Sequence, residues 1–139
     1  DYRLDNCMMS PNGEVAAVLD WELCTLGDVL ADVAGMVAYG DSRTTGGILP
    51  PTSVDGFPTT DEVREMYARH GTRDLANLDF YVAFAYWRIA CIVEGVYSRY
   101  AAGVMGDQDD PRLVEAFGQR VVDLADLAYE TASRLPRVA

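Results

Sequence analysis

Asp1-Tyr2-Arg3-Leu4-Asp5-Asn6-Cys7-Met8-Met9-Ser10-Pro11-Asn12-Gly13-Glu14-Val15-Ala16-Ala17-Val18-Leu19-Asp20-Trp21-Glu22 is the stretch whose reading decides the fold. Two short apolar runs, residues 7–9 and 15–19, flank a dense turn signal, which predicts a β-hairpin. Pro11 suits the first central position of a type I turn, Asn12 the second, and Gly13 the left-handed position of a G1 bulge. That three-residue loop sets Ser10 opposite Glu14, Asn6 opposite Val18 and Leu4 opposite Asp20. Asn6 and Asp20 are then diagonal neighbours on one face, about 7–8 Å apart at the backbone. A two-residue loop would slip the register by one and separate them.

Outward from the hairpin, the chain reads as helices. Asp28 is a predicted N-cap for a helix over residues 29–39, with Asp32 one turn inside it. Residues 40–58 are rich in Gly, Pro, Ser and Thr and read as a long loop. Thr59 and Glu62 have the spacing of a capping box and start a helix to His70, ended by Gly71. The longest helix is expected from about Leu78 to Ala102, apolar nearly all round and therefore buried. Asp110 and Pro111 open a last helix to about Leu135, with Leu113, Val114, Phe117, Val121, Leu124, Ala125 and Ala128 on one buried face. The expected fold is mainly α with one small β-hairpin.

The 139 residues favour one domain with its own core. Half are hydrophobic and 10% aromatic, which is globular composition. Eleven basic against 22 acidic residues give a net charge of -11, which argues against a nucleic-acid surface. Cys7, Cys24 and Cys91 are far apart and odd in number, so free thiols in a reducing compartment are expected. His70 is the single histidine, and without a second His or a paired Cys no zinc site is expected. The polar, charged residues 1–6 do not read as a signal peptide. The most apolar segment, Phe80 to Val93, is interrupted by Arg88 and followed by Glu94, short of the roughly 20 residues that span a bilayer. A cytoplasmic protein without a membrane partner is the expectation.

Asp1, Asn6 and Asp20 are the candidates for chemistry. Phosphoryl transfer needs a carboxylate to take the acceptor's hydroxyl proton and hard oxygen ligands to hold magnesium on the phosphates. Asp-x-x-x-x-Asn, a hairpin and a second Asp supply those groups in protein-kinase order. With Val18-Leu19-Asp20-Trp21-Glu22 and Gly27-Asp28-Val29-Leu30-Ala31-Asp32, the chain resembles the aminoglycoside phosphotransferase family of kinase-like small-molecule kinases. Trp87-Arg88-Ile89-Ala90 and the stretch Glu94 to Gly103 are similar to the branch attached to some acyl-CoA dehydrogenases. Val29 stands where the family has Pro, and the chain opens at Asp1, where the family has a preceding His-Gly.

That resemblance implies the C-terminal lobe of a protein-kinase-like α+β fold, with residues 1–22 as catalytic and metal hairpin and 23–139 as a helical substrate-side subdomain. It implies Asp1 as catalytic base, Asn6 and Asp20 as ligands of Mg2+ and through it of ATP, and Asp32, with the cap Asp28, as structural support. No Gly-rich phosphate loop, strand Lys or partner Glu is present, so the chain is expected to be part of a longer kinase and inactive alone. Two other classes remain open: a non-catalytic pseudokinase remnant and a helical interaction module. Glu22 is a possible substrate contact. Arg88 and Arg99, three helical turns apart, could receive an anionic substrate, ion pairing to the many acids being the simpler reading. The acceptor expected is a small-molecule hydroxyl, on an acyl-CoA-like or an aminoglycoside-like compound.

Overall fold

A computed structural model describes residues 2–45, 51–104 and 111–136. Asp1 and the expected cap Asp110 lie outside the described residues. The chain folds as the hairpin β1 (Cys7–Met9) and β2 (Val15–Val18), followed by α1 (Leu30–Gly40), α2 (Thr60–His70), α3 (Leu78–Ala101) and α4 (Pro111–Ser133). Short 3-10 turns at Leu4–Asn6, Trp21–Leu23, Ser42–Thr45 and Pro51–Ser53 join them. This is the mainly helical lobe with one antiparallel hairpin that the residue patterns predict.

The hairpin loop follows its turn chemistry. Gly13 N–H donates to the Ser10 carbonyl at 3.0 Å, and Ser10 N–H to the Glu14 carbonyl at 2.8 Å. Gly13 sits at φ +79, a left-handed conformation that glycine adopts without steric cost. The register beyond the loop departs from expectation. Met9 faces Val15, but Met8 faces Ala17 and Cys7 faces Val18. Ala16 is the extra residue of a β-bulge, which slips everything below it by one. Asn6 consequently lies opposite Leu19 and not Val18, its carbonyl accepting from the Leu19 amide at 2.7 Å.

The core lies among three helices. Leu30, Val33, Ala34, Val37 and Ala38 recur at helical spacing in α1 and pack with Val82, Ala85, Tyr86, Ile89, Ala90 and Val93 of α3 and with Leu124, Leu127 and Ala128 of α4. The expected all-round burial of α3 is corrected: Phe80, Phe84, Trp87 and Ile92 are exposed on its other face. By length and hydropathy α3 could cross a membrane, yet its inner face is occupied by α1 and α4.

The helix ends obey local rules. Thr59 and Glu62 form the capping box of α2, side chain to backbone in both directions. Gly71 ends α2 in an extended conformation, and a Cβ there would stand 2.6 Å from the Tyr67 ring. Close approach, and not a left-handed turn, is what requires that glycine. Gly103, at φ +68, terminates α3, with the Val104 amide donating to the Arg99 carbonyl across a Schellman-type cap.

Candidate active site

The segment ahead of β1 is held by backbone bonds. Asn6 N–H donates to the Arg3 carbonyl at 2.9 Å, closing a 3-10 turn that buries Asn6 almost completely. The Tyr2 amide donates to Asp32 Oδ1 at 3.3 Å, which ties the segment to the first turn of α1. Arg3 lies over the Tyr39 ring, 5.6 Å from its centroid, a second tie to α1.

Asp20 follows β2 and has φ 58 and ψ 54, the only positive φ at a non-glycine among the described residues. Aspartate tolerates the left-handed region better than most side chains, at a cost on the order of 1 kcal/mol. A 3-10 turn, Trp21–Leu23, starts immediately after it, and Trp21 Nε1 donates back to the Val18 carbonyl at 2.6 Å. Backbone strain of this kind concentrates where a side chain must be aimed. Glu22 is exposed in the same turn.

Asp28 caps α1, its Oδ1 accepting from the Leu30 amide at 3.0 Å and its carbonyl from the Ala31 amide. Its second carboxylate oxygen lies 3.7 Å from the Arg73 guanidinium. Partial burial and the Asp28 carboxylate together raise the Tyr81 pKa above its ordinary value.

A cavity of about 370 Å3 gathers these groups. Asp20, Asp28 and Asp32 line it with Tyr2, Trp21 and Arg88, the last arriving from α3. Gly35 on the neighbouring turn of α1 lies against that guanidinium, whose Nη2 is 3.9 Å from where a Cβ would stand. The structure thus brings four of the sequence candidates together. It places Asn6 one residue from Asp20 across the ladder, opposite Leu19. Arg99, exposed three turns farther along α3, is not among the residues that line this cavity.

Among the described residues, no group of three or more His, Cys, Asp and Glu converges as a metal cage. The donors are mostly hard oxygens, which suits magnesium: it takes one or two carboxylates and completes its shell with water and phosphate.

A second cavity, also about 370 Å3, lies on the other side of the segment, with Tyr2 lining both. Its wall is apolar, built from Leu4, Met9, Val15, Met36, Phe57 and Val63 among others. Neither spacing nor composition announced it, because it forms between the hairpin, α1 and the loop ahead of α2.

The model of the phosphotransferase enzyme family (APH) matches residues 1–81. Acyl-CoA dehydrogenase family member 10 of Mus musculus is 37% identical over 96% of this chain and 13% of its own length. Acyl-CoA dehydrogenase family member 11 of Homo sapiens is 33% identical over 99% of the chain and 19% of its own length. The probable acyl-CoA dehydrogenase IBR3 of Arabidopsis thaliana is 33% identical over 74% of the chain and 14% of its own length. The chain therefore spans less than a fifth of the curated relatives it matches. No solved structure matches it.

Proposed function

The chain belongs to the phosphotransferase enzyme family, and from that premise we propose that it carries the acceptor-side half of an ATP- and magnesium-dependent kinase for a small-molecule hydroxyl. Asp1 takes the hydroxyl proton as the acceptor oxygen attacks the γ-phosphorus, and the bond to the bridging oxygen of ADP breaks. Asp20, turned out of the strand alternation by its left-handed backbone, and Asn6, one register step away across the ladder, would hold magnesium, which when bound would neutralise charge on the phosphates. Asp32 holds the segment ahead of β1 through the Tyr2 amide, and Asp28 fixes the start of α1 that carries Asp32. Glu22 and Arg99 contact the acceptor farther out.

The observation that carries this reading is the convergence of Asp20, Asp28, Asp32 and Arg88 on one cavity, with Asp20 in a strained backbone conformation. Hard oxygen donors from two separate elements of the chain suit a cation held with phosphate and water between them. For the acceptor, the apolar cavity beside Tyr2 to Asp5 favours an acyl-CoA-like hydroxy compound over a polycationic aminoglycoside.

In the natural full-length protein, Asp20→Ala is expected to abolish magnesium-dependent phosphate transfer, a loss of at least about a thousandfold, while the far-ultraviolet circular dichroism spectrum stays native. Retained turnover would remove Asp20 from the metal site. Magnesium-dependent nucleotide binding with no transfer to any hydroxy compound would point to the pseudokinase reading.

A further inference from the structure

All 11 basic residues of this chain are arginine, set against 22 acids, so an arginine here is expected to face carboxylates and not its own kind. Three nevertheless converge. Arg43 after α1, Arg64 in α2 and Arg134 beyond α4 line one cavity of about 180 Å3 with Asp79, Tyr86 and Thr131. Asp79 is the single acid of that lining, and none of the lining residues belongs to the two cavities beside the hairpin. Tyr86 and Arg88 are two positions apart in α3, about 200° around the helix, so the helix serves two separate sites.

Each arginine has a carboxylate partner, yet the partners leave donors over. Arg64 Nη1 donates to Asp79 Oδ1 at 2.8 Å. Arg43 uses Nε and Nη2 on Asp41. Arg134 Nη2 stands 3.8 Å from Glu130, beyond hydrogen-bond reach. A guanidinium carries five N–H donors in a planar fork, so among the described residues every one of the three has some uncommitted. The Tyr86 hydroxyl already donates to Asp41 and the Thr131 hydroxyl to the Leu127 carbonyl, which leaves the arginines as the donors for a ligand.

We propose that this cavity binds a phosphate-sized oxyanion, either inorganic phosphate or the phosphoryl group of an ester. The forks match the oxygen edges of a phosphate bidentately. The volume of about 180 Å3 accommodates one phosphoryl group. Bound there, the anion ties the end of α4 and the middle of α2 to the turn after α1, so its occupancy stabilises the fold.

Thermal unfolding tests this, with phosphate titrated against chloride at constant ionic strength and glycerol phosphate as the ester arm. Line broadening of the phosphorus NMR signal is read on the same samples. A saturable rise of the unfolding midpoint and broadening are expected, and both persist in Asp20→Asn. The double variant Arg64→Gln, Arg134→Gln is expected to weaken phosphate at least about tenfold, the equivalent of one lost charge-assisted bond. A response to inorganic phosphate alone identifies the free ion as ligand, and a response to both identifies the phosphoryl group. No phosphate effect beyond chloride, or an unchanged effect in a folded double variant, would overturn the proposal.

Discussion

The Tyr86 hydroxyl donates a hydrogen bond to Asp41 Oδ2 at 2.8 Å, joining α3 to the turn that follows α1. Burial and the Asp41 carboxylate push its pKa from 10.0 up to about 12. Burial also works to raise Asp41, but the hydrogen bonds from Arg43 and Tyr86 outweigh it and hold that carboxyl below its usual range. The sign for Tyr86 follows from linkage. Between pH 10 and about 12 the folded protein keeps a proton that the unfolded chain releases. The contribution is therefore complete below the unfolded pKa and is lost as pH rises through the folded one. Tyr86→Phe is expected to cost about 1 kcal/mol in denaturant titrations near neutrality. It is also expected to flatten the loss of stability between pH 10 and about 12 relative to the parent. Parallel pH profiles for the two proteins would show that the Asp41 bond does not discriminate between the folded and unfolded states.

At the scale of elements, α2 depends most on its ends, because none of its residues is fully buried. Its capping box places Glu62 against the Thr59 amide and hydroxyl, which lowers the Glu62 pKa. Thr59→Ala is expected to destabilise the protein by about 1 kcal/mol and to fray the first turn, seen as faster amide exchange at Asp61 to Val63. Unchanged exchange there would mean that packing of Val63 and Tyr67 on the core holds the helix alone. The α2 boundaries and the hairpin loop were legible in the sequence because caps and turns are decided by side chains a few residues apart. The bulge was not, since Ala16 carries no mark that distinguishes it from Ala17 and the slip is settled where the strands meet Asn6 and Asp20. One side of α3 was misjudged for a related reason: Phe80, Phe84 and Trp87 read as core by type, and only tertiary packing decides which face α1 and α4 cover. In the candidate site, Asp20, Asp28 and Asp32 were legible from motif spacing. Arg88 was legible as a basic residue on one face of the long helix, but its place beside them is set by the packing of α3 on α1, and the Asp41–Arg43–Tyr86 cluster, which spans 45 residues of chain, leaves no local trace.

Across the whole molecule, the chemistry proposed for this chain sits on its least anchored part. Among the described residues the buried core lies in α1, α3 and α4, whereas Met8, Met9 and Val15 of the hairpin are about half exposed. A two-stranded hairpin is marginal by itself. Tyr2 to Asp32 and Arg3 over Tyr39 are two ties that hold its leading segment to the helices. Local opening of the hairpin should therefore need much less free energy than global unfolding. Native-state hydrogen exchange is expected to rank the amides of Cys7–Met9 and Val15–Val18 well below those of Val82 to Val93 in α3, which should exchange only through global unfolding. In the full-length protein, magnesium and a nucleotide analogue should raise hairpin protection selectively, because the proposed ligands Asn6 and Asp20 flank β1 and β2 while α3 is already at the global limit. Equal protection of hairpin and α3 without ligand would contradict the division into a rigid helical base and a movable site. Selective protection that fails to appear with magnesium and nucleotide would instead separate the hairpin from the metal, and leave the helical base intact as an account of the fold.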